Sequence, residues 1–171
     1  MNGFRSFIFY TAMMWISAIL IIPTAFAEST TLPILAGEDV VTHQMITKKY
    51  SDSKKGTVIA FLSAKCPCSA SHEPTLKALY EEFHKQGFEF LGVHSNRDEN
   101  SELTHEHFTH AALPFSVIED GKGAPIAPLA TALRALKTPH IFILSPTGEI
   151  LYSGGIDERS NSVDAKKPYL K

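Results

Sequence analysis

Short apolar segments rich in β-branched residues alternate with segments of helical periodicity between residues 57 and 153. The predicted order is β-α-β-α-β-α-β-β, over residues 57–62, 69–86, 88–94, 101–112, 115–118, 128–136, 140–144 and 149–153. Strands that alternate with helices become parallel neighbours, with helices on both faces of the sheet. Ser145–Pro146–Thr147–Gly148 separates the last two strands and predicts a tight antiparallel hairpin. The sequence therefore predicts an α/β domain with a central mixed sheet.

The helix at residues 101–112 has the weaker pattern, with Leu103, His107 and Ala111 on one face. The helix at residues 128–136 is expected to point Leu129, Leu133 and Leu136 inward. Polar side chains elsewhere are assigned to solvent: His107 and His110 to a polar helix surface, and Asp157–Glu158 to a solvated loop. His94 receives no functional role.

The first residues have the three parts of a secretory signal. Arg5 precedes the apolar run 7–22, and Ala25–Phe26–Ala27 supplies small residues at the positions that a signal peptidase reads. The alternative is an uncleaved anchor, because the run approaches the ~20 residues of a spanning helix. The predicted organisation is a signal peptide at 1–27, an approach segment at 28–55 with one irregular hairpin, and the main domain at 56–171. An exported protein, most simply periplasmic, is expected.

Composition excludes several classes of partner. The 171 residues carry a formal net charge of -2 and 44% hydrophobic residues, which is ordinary for a globular domain. The sequence has no basic patch of the kind that would predict nucleic-acid binding. No membrane association is expected after signal cleavage. The chain has only two cysteines, Cys66 and Cys68, so export does not imply a disulfide framework.

Cys66 is the candidate nucleophile. It lies where a buried strand ends and a helix begins, so free backbone N–H groups and the helix dipole favour its thiolate. Lys65 adds a positive charge beside it, and Pro67 stiffens the link to Cys68. The alternative is that both cysteines are small buried hydrophobic residues.

A disulfide between Cys66 and Cys68 would close a small ring. Relaxed disulfides join Cα atoms roughly 4.4–6.8 Å apart with converging Cβ vectors, and helical winding points these two side chains to different faces. Such a bond would be strained and easily reduced. The pair is therefore either a labile, oxidising couple or one attacking cysteine with a nearby helper.

The strand 57–62 leading into Cys66–Pro67–Cys68–Ser69, together with Thr138–Pro139 before the strand 140–144, resembles the thioredoxin-like superfamily. The closest resemblance is to its redoxin and peroxiredoxin-like branch of AhpC/TSA type. The resemblance implies a thioredoxin-like fold and catalytic roles for Cys66, Cys68, Thr138 and Pro139. It implies a cis Pro139 that turns the Thr138 backbone toward an extended partner.

This chain departs from that family's patterns in ways that bear on its reaction. It has Cys-x-Cys where thioredoxins have Cys-x-x-Cys. Ser63 occupies the position of a peroxiredoxin Thr or Ser, but Ile59 replaces a proline, and Pro139–His140 stands where peroxiredoxins carry an arginine. The pattern favours thiol–disulfide exchange with protein or small-molecule partners, without a cofactor. A thiol peroxidase is the first alternative.

The second alternative is copper binding. Cys66, Cys68 and either His72 or His140 would form a thiolate and imidazole set suited to Cu(I). Copper-delivering proteins of the Sco type also pair two cysteines with a later histidine, although their cysteines are three residues apart.

Overall fold

The computed structural model describes residues 34–122 and 127–157. All of them lie in one compact unit, residues 31–171. Three predicted segments lie outside the described residues: the signal peptide, the first part of the approach segment, and residues 158–171 at the predicted domain end. Within the described ranges no helix combines the length and apolar character needed to cross a membrane.

The elements follow the predicted order from Gly56 onward, preceded by a hairpin. Seven strands and three α-helices are described. In chain order they are β1 Leu35–Glu38, β2 Met45–Lys48, β3 Gly56–Leu62, α1 Pro67–Phe83, β4 Phe88–His94, α2 Ser101–Ala111, β5 Val117–Glu119, α3 Pro128–Leu133, β6 His140–Leu144 and β7 Ile150–Gly154. Short 3-10 turns occupy Tyr50–Asp52 and His84–Gln86. The hairpin predicted in residues 28–55 is confirmed as β1 and β2.

Five strands form the central sheet, in the order β5-β4-β3-β6-β7. β3 pairs in parallel with β4, from Gly56 opposite Phe88 to Leu62 opposite His94, and β4 pairs in parallel with β5. β6 runs antiparallel to β3 and forms a hairpin with β7. The mixed sheet with helices is the α/β thioredoxin-like fold that the sequence predicted. Because β3, β4 and β5 are parallel, their carboxyl ends share one edge of the sheet.

Both faces of the sheet are covered, as a strand buried along its whole length requires. All seven residues of β3 are buried. Successive strand residues point to opposite faces, so Ile141 packs with Leu76 and Leu79 of α1. Phe142 packs with Leu129 of α3 on the other face. α1 therefore covers one face of the sheet, and α3 covers the other.

Two predicted helix faces are wrong in detail. α2 buries Thr104, Phe108 and Ala111, at offsets of four and seven, because the bulky Phe108 ring centres the stripe. α3 ends at Leu133, where Arg134 turns into the left-handed region with φ 54°. Leu136 therefore leaves the helix and is 87% exposed.

The N-terminal hairpin packs on the main sheet. Leu35 is fully buried in the same cluster as Ile118 of β5. Val40 N–H donates to the carbonyl of Val117 at 2.8 Å, which continues the contact along β5. The domain boundary at residues 55 and 56 stays a prediction, but the hairpin shares a hydrophobic core with the residues that follow it.

Candidate active site

Cys66 is the N-cap residue of α1 and follows β3 after a turn of three residues. Its backbone is extended, with φ -82° and ψ 111°, and Pro67 occupies the first helical position, where the missing N–H costs no helix hydrogen bond. The side chain makes no capping hydrogen bond, and the thiol is free and half-buried. The end of β3 thus delivers the sulfur to the helix N-terminus, as the sequence predicted.

The strand pairing of β3 with β6 brings Thr138 and Pro139 to Cys66. Phe61 lies opposite His140 in the register, so the residues just before β6 face the turn after β3. The Thr138–Pro139 bond is cis, which confirms the expectation. The Cys66 thiol donates to the Thr138 carbonyl, with a Sγ–O distance of 3.3 Å. Three of the predicted site residues are therefore in direct proximity.

Ser63 supports the backbone of the cysteine turn. The Cys66 N–H donates to Ser63 Oγ at 3.1 Å, and that hydroxyl donates to Glu99 Oε1 at 2.5 Å. Ala64 N–H donates to the other oxygen of Glu99 at 2.7 Å. Lys65 donates to the carbonyl of Asp98 and approaches its carboxylate at 3.6 Å. The Ser63 hydroxyl thus holds the main chain of Cys66 by a hydrogen bond, and Lys65 pairs with Asp98.

A buried ion network lies behind this turn. His94 bridges two carboxylates, with Nε2 at 3.1 Å from Glu99 and Nδ1 at 3.0 Å from Glu119. Burial opposes the charge on His94, but the hydrogen bonds and charges of Glu119 and Glu99 outweigh it and raise the pKa of His94. Burial likewise raises the pKa of Glu99, but hydrogen bonds from Ser63, Asn96, Ala64 and His94 dominate and lower it to about 2. The network places His94 between two carboxylates.

Sequence reasoning missed this network, although a signal for it existed. Ser63 follows β3, His94 ends β4 and Glu119 ends β5. Carboxyl ends of parallel neighbours lie at one edge of a sheet, and polar residues there commonly form a site. The polar residues at the carboxyl ends of β3, β4 and β5 could therefore have predicted that these side chains lie close together.

Cys68 lies in the first turn of α1, beside His72 one turn later. His72 Nδ1 is 2.7 Å from the Cys68 carbonyl and 4.0 Å from Cys68 Sγ. His72 Nε2 is 3.2 Å from Asp157 Oδ1, and the two side chains are only 1% and 5% exposed. The prediction that Asp157 belongs to a solvated loop is wrong, because Ile156 packs in the α1 face of the core and carries Asp157 inward.

Cys68 has an environment that favours the neutral thiol. Burial is the main cause that raises the pKa of Cys68, and the nearby charges of Cys66 and Asp157 act in the same direction. Lys137 opposes them. The second cysteine therefore needs a proton acceptor before it can act as a nucleophile.

His140 lies on the other face of the sheet. Its Nδ1 accepts from Leu136 N–H at 3.2 Å, its Nε2 is 3.2 Å from Ser153 Oγ, and its ring packs on Phe142. Burial, and then Lys137, lower the pKa of His140. The structure thus places His72, but not His140, beside the cysteines. Among the described residues no group of three or more His, Cys, Asp or Glu side chains could hold a metal ion, and the copper alternative stays a prediction.

The histidines assigned to a solvated surface divide into two kinds. His107 contacts Glu73 of α1, with Nε2 at 2.6 Å from Oε1, and the two side chains are only 20% and 11% exposed. The assignment of His107 to solvent is therefore wrong. His110 is exposed, as expected.

Solved structures of several known proteins are similar in fold to this chain. An uncharacterized conserved protein from Geobacillus kaustophilus is 22% identical, with a TM-score of 0.65 over 74% of this chain and 68% of that one. The thioredoxin domain of a thiol-disulfide oxidoreductase from Bacteroides vulgatus is 20% identical, with a TM-score of 0.58 over 71% and 83%. A secreted Mycobacterium tuberculosis disulfide oxidoreductase is 14% identical, with a TM-score of 0.54 over 67% and 78%.

These likenesses establish the fold. Curated protein sequences include no significant match. The sequence model of the AhpC/TSA family matches residues 27–153, which is most of the chain and includes Cys66, Cys68, Thr138 and Pro139. The chain belongs to the AhpC/TSA family.

Proposed function

We propose that this protein is an exported thiol–disulfide oxidoreductase in which Cys66 is the attacking thiolate and Cys68 the resolving thiol. The observation that carries the proposal is the position of Cys66 Sγ, at the N-terminus of α1 and 3.3 Å from the Thr138 carbonyl. Membership of the AhpC/TSA family and the fold shared with thiol-disulfide oxidoreductases support it. The substrates are disulfides or thiols of proteins or small molecules.

The reaction begins at Cys66. Its thiolate attacks one sulfur of a partner disulfide, forms a mixed disulfide and releases the other partner sulfur as a thiolate. Cys68 then attacks Cys66 Sγ, forms the Cys66–Cys68 disulfide and releases the second partner thiolate, so the partner is reduced by two electrons and this protein oxidised. Ionised Cys66 no longer donates to Thr138, and the freed carbonyl can accept an N–H from an extended partner backbone.

A catalysed exchange assay tests the proposal. Dithiothreitol reduces insulin slowly, and we expect catalytic amounts of the full mature protein to accelerate the appearance of insulin turbidity. Alkylation of Cys66 by iodoacetamide provides an independent readout of its reactivity. No acceleration, together with alkylation no faster than that of free cysteine, would contradict the proposal.

A thiol peroxidase is the second candidate, and family membership favours it. The hydrogen bonds of Ser63 count against it, because its hydroxyl accepts from the Cys66 backbone N–H and donates to Glu99. We expect hydrogen peroxide to oxidise Cys66 at a rate close to that of free cysteine, measured as loss of titratable thiol. Oxidation several orders of magnitude faster would replace exchange by peroxide reduction as the main activity.

Export is the remaining part of the proposal. The signal features of residues 1–27 support it, and one protein of the same fold is described as secreted. We expect the mature protein expressed in a bacterium to begin at Glu28, and the intact mass of the protein from the periplasmic fraction measures this directly. A membrane-bound product of full-length mass would indicate the uncleaved anchor instead.

A further inference from the structure

His140 joins β6 to the loop that carries Thr138. Its Nδ1 lies 3.2 Å from the backbone nitrogen of Leu136, and its Nε2 lies 3.2 Å from Ser153 Oγ on β7. A backbone N–H only donates, so Nδ1 is the acceptor and the hydrogen of the neutral ring is on Nε2. Nε2–H then donates to the Ser153 hydroxyl. The two contacts therefore fix both the tautomer and the orientation of the ring.

The His140 ring is itself held by the sheet. His140 is the first residue of β6, is only 7% exposed, and packs on Phe142 with ring centroids 4.4 Å apart. Phe142 belongs to the buried cluster on the α3 face, and the backbone of His140 lies opposite Phe61 of β3. A side chain that is locked by packing and by its own hydrogen bonds can hold a neighbouring loop in a defined geometry.

The loop between α3 and β6 is closed by this hydrogen bond. The bond joins Leu136 to His140, and Thr138 lies midway between them. The Thr138 carbonyl accepts from the Cys66 thiol, with a Sγ–O distance of 3.3 Å. When Cys66 ionises, it no longer donates to that carbonyl, but the bond from Leu136 N–H to His140 remains. The loop therefore keeps its shape at the step in which a partner binds.

We propose that His140 is a positioning residue for partners with an extended peptide backbone, because it holds the Thr138 carbonyl where such a backbone can donate to it. The inference rests on the proposed function, in which that carbonyl accepts an N–H from the partner. The outer side of the loop is open to a partner, since the side chain of Leu136 is 87% exposed. A disulfide without peptide groups cannot form this hydrogen bond and does not depend on the loop.

Two disulfides of different chemistry separate this role from a general effect on Cys66. Fluorescein-labelled insulin has a peptide backbone, and dithiobis(nitrobenzoate) has none. We expect His140→Leu, which removes the acceptor of Leu136 N–H, to raise KM for labelled insulin roughly three- to tenfold, the effect of one hydrogen bond. The kcat for insulin should stay near the wild-type value, because the interaction contributes to binding and not to the sulfur chemistry. The rate constant of the reduced protein with dithiobis(nitrobenzoate) should stay near it as well.

His140→Asn and His140→Gln form a matched pair. The asparagine oxygen occupies the position of Nδ1 and can accept from Leu136 N–H, so KM for insulin should return close to the wild-type value. The glutamine amide lies farther along the side chain, at the position of Nε2, and should leave KM raised as in His140→Leu. The control is His105→Leu on α2, because His105 Nδ1 also contacts a backbone group, the Val40 carbonyl at 3.0 Å, outside the loop.

The outcomes distinguish this inference from the proposed function. A wild-type protein that reduces neither disulfide contradicts the proposed function itself. A wild-type protein that reduces insulin, together with an unchanged KM in folded His140→Leu and His140→Gln, overturns only the role of His140. An insulin KM raised as much in His140→Asn as in His140→Gln has the same meaning. The nitrogen chemical shifts of the wild-type ring are an independent check, since a hydrogen on Nδ1 would also overturn the inference.

Discussion

Replacing Cys66 by serine should abolish thiol–disulfide exchange while slightly stabilising the fold. A serine hydroxyl cannot form a disulfide, and all proposed steps pass through Cys66 Sγ. At the same position, however, the cysteine is an N-cap that makes no capping hydrogen bond. Serine is a preferred N-cap and can accept from the free N–H groups of the first turn, which is worth about 0.5–1 kcal/mol. Activity and stability are thus expected to move in opposite directions.

Insulin reduction and urea unfolding of Cys66→Ser measure the two effects. Cys68→Ser is the comparison, because it retains the attacking cysteine and should still form a mixed disulfide with the partner. Loss of activity in Cys66→Ser with equal or higher stability excludes misfolding as the cause. Residual exchange above the uncatalysed rate in Cys66→Ser would place the nucleophile elsewhere.

Glu99→Gln should be the most destabilising of the conservative changes near the site. The two oxygens of Glu99 accept from four donors: Ser63 Oγ, Ala64 N, Asn96 Nδ2 and His94 Nε2. An amide replaces one oxygen by an N–H₂ donor, so a buried donor loses its acceptor, and His94 loses one of the two carboxylates that it contacts. Breaking a buried ion pair on one side costs about 3–5 kcal/mol.

The same carboxylate predicts how stability depends on pH. The pKa of Glu99 falls from 4.5 to about 2 on folding, and its side chain is only 1% exposed. Its contribution is therefore complete above pH 4.5 and is lost as the pH falls toward 2, by about 3 kcal/mol. His94 has the opposite sign, because its raised pKa stabilises the fold below its unfolded pKa and the contribution is lost as the pH rises.

Urea unfolding between pH 2 and pH 7 tests both statements. The control is Glu102→Gln, in the first turn of α2 and exposed, which should change the free energy of unfolding by less than about 1 kcal/mol. The Glu99→Gln protein should lose part of the acid dependence as well as stability at pH 7. Equal stability of the two variants would mean that the network contributes little.

Local sequence patterns predicted what depends on neighbouring residues. The apolar run of β3, the helix that begins after Cys66 and the Thr138–Pro139 turn each have signals within a few residues. The proximity of Cys66 and Thr138 then follows from the fold, because β6 pairs with β3. This part of the site was therefore predictable from the family resemblance together with strand order.

The ionic contacts were not predictable in the same way. Asp157 contacts His72, although most of the domain's sequence lies between them. Glu99, in the turn before α2, contacts Ser63 after β3. Periodicity carries no information on such pairs, since a carboxylate in a polar stretch has the same local pattern whether it is solvated or buried. The predicted burial of Leu136 is wrong for a related reason, because the left-handed Arg134 ends α3 before the periodic pattern ends.

The pairing of Asp157 with His72 sets a limit for anyone who shortens this protein. Ile156 is 2% exposed in the core, and the carboxylate that follows it is the last described residue. A shortened protein that ends with β7, at Gly154, would contain all five strands of the central sheet but would lack the side chains of Ile156 and Asp157. Libraries of truncations and fusion junctions should therefore start downstream of residue 157.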